Sequence, residues 1–214
     1  MSPVYKVAAL YAGKPKPLGP RNALSSIVKA PVPYLTVHTN CTDEDEQANK
    51  KLHGGPEKVL HQFAPIHYQT LKKHFPGEPF TIGSIGENIS VEGMDDSNVF
   101  IADVWKFGDV VLQVSAPRAP CNKISQRFNI ANLDRFLGER GNTGWYYRVL
   151  QTGVIHTGDT VSLMHREENT VNVQTLMQCA HTKSDATLAE QLANLAVLDQ
   201  EWRCKCERIA AKHT

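Results

Sequence analysis

Short apolar runs rich in β-branched residues recur along the first 165 residues, separated by polar stretches that contain Gly and Pro. This pattern is typical of strands joined by turns. A Gly-Asp pair precedes two of the runs, at Gly108-Asp109 and at Gly158-Asp159, and indicates a turn before each strand. Many short strands with frequent turns predict a mostly β fold, either a barrel or a sandwich. The predicted strands are residues 4–10, 23–29, 34–38, 98–101, 104–107, 110–114, 145–150 and 160–165, with a longer strand-like run over 80–91.

Two helices are predicted to interrupt the strands. Residues 64–75 are bounded by Pro65 at the start and by Pro76-Gly77 at the end, which suits a single helix. A second inserted helix is predicted at about residues 131–140. The sequence therefore favours a β domain with a few inserted helices.

After residue 165 the apolar period changes from two residues to that of a helix. We predict a first helix over residues 171–181 and a second that begins at an N-cap Ser184. The apolar residues of the second and third helices are Leu188, Leu192 and Leu195, then Trp202, Cys206 and Ile209. These patterns divide the chain into a β domain, residues 1–168, and a C-terminal unit of three helices, residues 169–214.

Composition narrows the class of protein. With 214 residues, of which 41% are hydrophobic, the chain can bury one substantial core. Its formal net charge of +1 gives no long-range field for nucleic acid or an acidic membrane, so we expect neither partner. The first 20 residues contain no unbroken apolar segment, and the five cysteines are scattered, so we expect a cytoplasmic protein with reduced thiols.

Cys121 is the strongest candidate for chemistry. It follows Pro120 at the end of a β-branched run, with Arg118 and Lys123 on either side. Nearby cations favour the thiolate, which is the form that acts as a nucleophile or binds soft metals. The alternative is that Cys121 is a small buried apolar residue, and the local sequence leaves both interpretations open.

Two other segments suggest a ligand site. In His53-Gly54-Gly55 the glycines permit close backbone approach to a ligand, although an ordinary surface turn with a solvated histidine is the alternative. Gly86-Glu87-Asn88 interrupts an apolar run, so Glu87 and Asn88 must find hydrogen-bond partners at a bulge.

Zinc is disfavoured at the remaining His and Cys clusters. His67 and His74 are seven residues apart on a predicted helix, too far for two ligands of one ion. Cys204 and Cys206 would point to nearly opposite sides of a helix, away from a shared site with Cys179.

Four segments in order carry a family resemblance. They are Asp45-Glu46-Gln47-Ala48, Lys51-Leu52-His53-Gly54-Gly55, Gly86-Glu87-Asn88 and Val114-Ser115-Ala116-Pro117-Arg118-Ala119-Pro120-Cys121. Together they resemble the MOSC family, named for the molybdenum cofactor sulfurase C-terminal domain, and most closely its bacterial YiiM-like subgroup of 6-hydroxylaminopurine resistance proteins. The resemblance runs from about residue 4 to residue 164, and the C-terminal unit resembles that subgroup's three-helix extension. The chain departs from the pattern at Glu44, where the family usually has glycine.

The resemblance implies a MOSC-type β-barrel that binds the molybdenum cofactor (Mo-molybdopterin), without pyridoxal phosphate, and in which Cys121 ligates molybdenum. It also implies an oxidoreductase that reduces N-hydroxylated compounds, such as 6-hydroxylaminopurine and related base analogues, to amines and so detoxifies them. A separate flavin or iron–sulfur reductase would supply the electrons.

The same resemblance gives the neighbouring residues expected roles. Arg118 and Lys123 would bind the cofactor's phosphate through charge-assisted hydrogen bonds, and Gly54 and Gly55 would donate backbone N–H groups to it. A thiolate from Cys121 suits molybdenum because this metal favours soft sulfur donors.

For each of three further residues, two alternative roles remain open. His53 and Asp45 would either deliver protons or contact the pterin. Asn88 would either bind the pterin's amide edge or cap a buried bulge.

Two other functions remain open at this level. One is a molybdenum cofactor carrier that turns over no substrate of its own. The other is acyl transfer with Cys121 as nucleophile and His53 as base. An apolar stripe on the helices of the C-terminal unit, if exposed, would suit a homodimer or reductase docking.

Overall fold

The structure is a computed structural model that describes residues 3–49 and 54–212. Its strands are β1 (Val4–Ala12), β2 (Lys16–Leu18), β3 (Ala23–Ser25), β4 (Ala30–Val32), β5 (Tyr34–Val37), β6 (Leu60–Gln62), β7 (Ile89–Val91), β8 (Val104–Phe107), β9 (Val110–Pro117), β10 (Trp145–Gln151), β11 (Gly153–His156) and β12 (Thr160–His165). Its helices are α1 (Pro65–His74), α2 (Lys123–Phe128), α3 (Leu133–Arg140), α4 (Val173–Thr182), α5 (Ala186–Ala193) and α6 (Gln200–Ala210), with a 3₁₀ turn at Pro56–Lys58.

Seven strands form a closed barrel in the order β12-β8-β9-β10-β6-β7-β1, and β1 pairs with β12 to complete the ring. Neighbours are antiparallel except β6 and β7, which are parallel. Strand β4 pairs with β1, while β2 with β3 and β5 with β11 form separate two-stranded sheets. The predicted mostly β barrel with inserted helices and a helical C-terminal unit is therefore confirmed.

The barrel core continues into the C-terminal unit. Trp105, Trp145 and Tyr147 are fully buried within the barrel, and they belong to the same hydrophobic cluster as Leu176 and Trp202 of helices α4 and α6. A second, smaller cluster joins α1, α2 and α3. In the described part of the chain no helix has the length and apolar composition needed to cross a membrane.

Several predicted strands were wrong in length. Strand β9 runs to Pro117 rather than to residue 114, because β10 pairs with it as far as Trp145 opposite Pro117. The run over 80–91 is a strand only at Ile89–Val91, since Gly83 and Gly86 adopt positive φ angles. The run over 23–29 is a strand only at Ala23–Ser25, and residues 98–101 form turns with one isolated bridge.

The predicted helices need smaller corrections. Helix α2 was not predicted at all, and the N-cap of α5 is Asp185 rather than Ser184, because the Asp185 side chain accepts a hydrogen bond from the Leu188 N–H. The predicted leucine stripe faces inward: Leu192 is buried, and Leu188 and Leu195 pack partly buried against the core. The stripe is therefore not exposed, and exposure was the condition under which it would suit a homodimer or reductase docking.

Candidate functional site

A pocket of about 420 Å³ opens beside the connection between β9 and α2. Its walls come from the β2–β3 hairpin and the residues after it, the loop after β5, strand β6 and the start of α2. Five of the predicted site residues line it, namely Asp45, Asn88, Arg118, Cys121 and Lys123. The fold thus brings together residues that lie up to 78 positions apart in the sequence.

Cys121 is a free, partly exposed cysteine in the short link between β9 and α2. Its carbonyl accepts a hydrogen bond from the Ile124 N–H at 3.0 Å, which fixes the turn into the helix. Because Cys121 is partly exposed and lines the pocket, its thiol is accessible from the pocket.

Arg118 is the clearest sign that this pocket binds a ligand. Its residue exposure is only 6%, and its Nη1 has no hydrogen-bond partner in the described part of the chain. Buried donors nearly always have acceptors, so an unpartnered guanidinium nitrogen in a pocket wall indicates an absent anionic or carbonyl group.

The backbone of Arg118 is placed by Gly144 at the start of β10. The Arg118 N–H donates to the Gly144 carbonyl at 2.9 Å. Gly144 has φ of 73°, and a Cβ there would lie 2.1 Å from the Gln62 carbonyl oxygen. Only glycine lets β10 approach β6 this closely, so this contact fixes where the guanidinium enters the pocket.

Lys123 has a different environment from the predicted one. Its Nζ lies 3.4 Å from the carbonyl oxygens of Leu18 and Ala23, so it ties the β2–β3 hairpin to the start of α2. The side chain still lines the pocket, and its predicted contact with a phosphate stays a prediction.

Asp45 is held in a buried ion pair with Lys29, and the side chains are 7% and 6% exposed. The Gly13 N–H also donates to Asp45 Oδ1 at 2.8 Å. Burial lowers the pKa of Lys29 below its ordinary value, although the negative charge of Asp45 opposes this shift. Sequence reasoning missed Lys29; its one signal was a lone lysine ending an apolar run.

His61 on β6 was also missed. It is 5% exposed, and its Nε2 lies 3.3 Å from the Thr143 carbonyl oxygen. Burial, followed by the positive charge of Arg118, holds the pKa of His61 well below its usual range, so the ring is neutral near pH 7. A single histidine in a three-residue strand gives no pattern that could have revealed it.

Asn88 joins three parts of the barrel. Its Oδ1 accepts from the His61 N–H at 3.1 Å, and its Nδ2 donates to the Tyr11 carbonyl at 3.2 Å. Both ends of the amide have protein partners, which suits the bulge-capping role, but Asn88 also lines the pocket, so its predicted pterin contact stays a prediction.

One carboxylate oxygen of Glu87 has hydrogen-bond partners, as the sequence required, whereas Oε2 has none in the described part of the chain. It is fully buried, and its Oε1 accepts from the Tyr68 hydroxyl at 2.6 Å and from the Gly83 N–H at 2.7 Å. Burial raises the pKa of this carboxyl, while the hydrogen bonds from Tyr68 and Gly83 oppose the shift. Glu44, the departure from the family pattern, accepts from the Thr36 N–H and hydroxyl and so secures the same loop as Asp45.

Of the predicted glycine loop, the structure describes Gly54 and Gly55. Gly55 has φ of 91° and precedes the 3₁₀ turn, but a Cβ there would meet no atom within 4 Å. Neither Gly54 nor Gly55 is among the residues that line the pocket. His53 falls outside the described residues, so its predicted role stays a prediction, as do those of the two glycines.

The barrel and its pocket define a class of protein: a small β-barrel that presents to a ligand one thiol and a buried guanidinium with one unpartnered nitrogen in the described part of the chain. The chain belongs to the MOSC domain family, whose family model matches residues 49–162.

Relatives and solved structures agree with this assignment. Protein YiiM of Escherichia coli (strain K12) is 34% identical over 161 residues, which cover 74% of this chain and 71% of that protein. A protein named reductase from Gibberella moniliformis is 41% identical over 140 residues, 63% of this chain but 25% of that protein. The crystal structure of YiiM from Geobacillus stearothermophilus superposes with a TM-score of 0.80 at 27% identity, covering 97% of this chain and all of that one.

The family is associated with the molybdenum cofactor, and the pocket residues fit such a group. The cofactor is anionic, and the described lining carries four cationic side chains, Lys29, Lys58, Arg118 and Lys123, against the carboxylate of Asp45. The unpartnered Nη1 of Arg118 supplies a donor, and Cys121 supplies a soft sulfur ligand. The volume also lies in the range of small-molecule sites.

Proposed function

We propose that the protein is a molybdenum-cofactor-dependent reductase of N-hydroxylated compounds, with 6-hydroxylaminopurine and related base analogues as the substrate class and the amine as product. The observation that carries the proposal is the accessible thiol of Cys121 in the same pocket as the unpartnered guanidinium nitrogen of Arg118. The relative from Gibberella moniliformis that is named a reductase supports the reaction type.

Two pocket residues, Cys121 and Arg118, would bind the cofactor at different groups. Cys121 would ligate molybdenum, and Arg118 would hold an anionic group of the cofactor through its free N–H groups. When bound, the cofactor would supply the two-electron chemistry that cleaves the N–O bond. The net reaction, R–NHOH plus two electrons and two protons to R–NH₂ and water, draws its electrons from a separate flavin or iron–sulfur reductase.

The hairpin side of the pocket suits a planar substrate. Ala23, Leu24 and Ile27 contribute apolar surface to the lining. A purine ring would pack against these side chains and shed water there. We further propose that His53 or Asp45 takes part in proton delivery, either directly or by positioning the group that gives the proton, and that the reaction is cytoplasmic, which suits the five free cysteines.

The test is anaerobic turnover by protein loaded with the cofactor. The protein is reduced, freed of excess reductant and mixed with 6-hydroxylaminopurine. We expect about one equivalent of adenine per reduced metal, because cleavage of one N–O bond consumes two electrons. Reoxidation is followed by absorbance and the product by chromatography.

Two variants frame this test. Cys121→Ala should form no adenine, whereas Cys41→Ala, at an exposed cysteine outside the pocket lining, should behave as wild type. Wild-type protein that holds reduced metal but leaves 6-hydroxylaminopurine unchanged would identify a cofactor carrier instead.

A further inference from the structure

Lys29 is a buried cation in the wall of the pocket. It lies in the segment between β3 and β4, and its side chain is 6% exposed while lining the cavity. Asp45 accepts from its ammonium group and is fixed in turn by the Gly13 N–H. The ammonium group is thus held at one place on the pocket surface.

Stability alone does not account for this ion pair. Moving two charges out of water costs free energy that their attraction often fails to recover, and apolar replacements are commonly as stable. An ammonium group carries three N–H donors, and within the described residues Asp45 is its hydrogen-bond partner. A pocket ligand can therefore accept from the remaining donors.

The charges around Lys29 decide how readily it releases a proton. Asp45 and Glu87 favour its charged form, while burial acts more strongly and lowers its pKa. His61 lies close enough to interact with Lys29 but is itself neutral near pH 7. The other titratable groups in the described lining are Lys58, Arg118, Cys121, Lys123 and Tyr146.

We propose that Lys29 is the catalytic acid that protonates the departing oxygen of the N-hydroxylated substrate, with Asp45 as the residue that positions it. The assignment rests on the proposed function. The N–O bond breaks as two electrons arrive from the flavin or iron–sulfur reductase. Lys29 gives one proton to the oxygen, solvent gives a second to the nitrogen, and the products are the amine and water. Lys29 then regains its proton from solvent.

Kinetics of three lysine variants test the assignment in the loaded protein. Lys29→Met should keep molybdenum and pterin content but lower kcat by about 10²–10⁴-fold, the range for a lost general acid, with KM nearly unchanged. Lys29→Arg keeps the charge but does not release its proton near neutral pH, so it should not restore kcat. Lys106→Met, at an exposed lysine on β8, should match the wild type.

Each other outcome of the kinetics overturns the assignment. Loss of the cofactor in Lys29→Met would make Lys29 a cofactor contact. Unchanged kcat in Lys29→Met, or full activity in Lys29→Arg, would remove the need for a proton from this residue. A wild type that binds molybdenum but reduces no N-hydroxylated compound would overturn both the proposed function and the role of Lys29 as acid. An active wild type with an equally active Lys29→Met would overturn the role of Lys29 alone.

A second readout does not depend on turnover. Protein labelled with ¹³C at the lysine ε carbons is titrated by NMR, and the Lys29 signal is identified by its absence in Lys29→Met. We expect it to titrate below the other lysines, and lower still in Asp45→Asn, which loses the opposing negative charge. Titration together with the exposed lysines would contradict a lysine poised to donate its proton.

Discussion

At the level of single residues, buried polar groups link the elements that form the pocket. Asn88 links β6 to β1, and Glu87 beside it links the Gly83 turn to Tyr68 of α1. Gly86 permits this arrangement, because a Cβ there would lie 2.8 Å from a side-chain carbon of Ile27 in the pocket wall. The motif of these three residues thus shapes the site through the backbone as well as through any ligand contact.

Glu87 gives a prediction about pH and stability. Its pKa is raised in the folded protein, so the native state binds a proton more tightly than the unfolded chain. The stability it contributes is therefore present at low pH and lost as pH rises through the folded pKa. In Glu87→Gln, Oε1 can still accept from Tyr68 and Gly83, but the side chain does not titrate. The free energy of unfolding of the wild type should therefore fall relative to that of the variant as pH rises.

Urea unfolding at a series of pH values checks this, with Glu92→Gln at an exposed carboxylate as the control for losing one charge. A stability difference between wild type and Glu87→Gln that stays constant with pH would show that Glu87 titrates alike in both states.

At the scale of elements, local signals predicted the parts that local interactions form. Pro65 and Pro76-Gly77 bounded α1 within a residue or two, and β8 and β12 were predicted with their observed bounds. The extra length of β9 comes from its pairing with β10, which no pattern within β9 itself reveals.

For the site as well, local sequence predicted the residues that are close along the chain but not the long-range contacts. Arg118, Cys121 and Lys123 are close in sequence, so their shared location needed no knowledge of the fold. The pairing of Lys29 with Asp45 depends on where the segment before β4 meets the loop after β5, and the helical and strand periods carry no information about that contact.

Helix α6 gives a prediction at this scale. Trp202 is 2% exposed and belongs to the cluster that fills the barrel, and the neighbouring Glu201 pairs with Lys58 of the pocket wall at 2.8 Å. Trp202→Ala should cost about 3–5 kcal/mol of the free energy of unfolding, since it removes a large buried ring. Met164→Ala, at a 58% exposed side chain, should cost less than about 0.5 kcal/mol.

Hydrogen exchange shows which strands lose protection when the Trp202 ring is removed. We expect barrel strands and C-terminal helices to lose protection together in Trp202→Ala, because they share one core. Loss confined to residues after 168 would mean that the C-terminal unit unfolds on its own.

At the scale of the whole molecule, we propose a MOSC barrel over residues 1–168 and a C-terminal unit over residues 169–214 that completes the barrel core. The two are joined across the boundary, where the Ile101 and Val173 N–H groups donate to the carbonyls of Val171 and Val99. The homodimer stays a prediction, and the leucine stripe, which would suit it if exposed, packs against the core instead.

Metal and pterin content would show whether Cys121 holds molybdenum in this pocket, as we propose. The protein is purified from a host that makes the cofactor, as wild type, Cys121→Ala and Cys41→Ala. We expect about one molybdenum and one pterin per chain in wild type and Cys41→Ala, and almost no molybdenum in Cys121→Ala, because the thiolate of Cys121 is the ligand we propose for the metal. Wild-type protein without molybdenum from a host with confirmed cofactor synthesis, or equal molybdenum in Cys121→Ala, would contradict it.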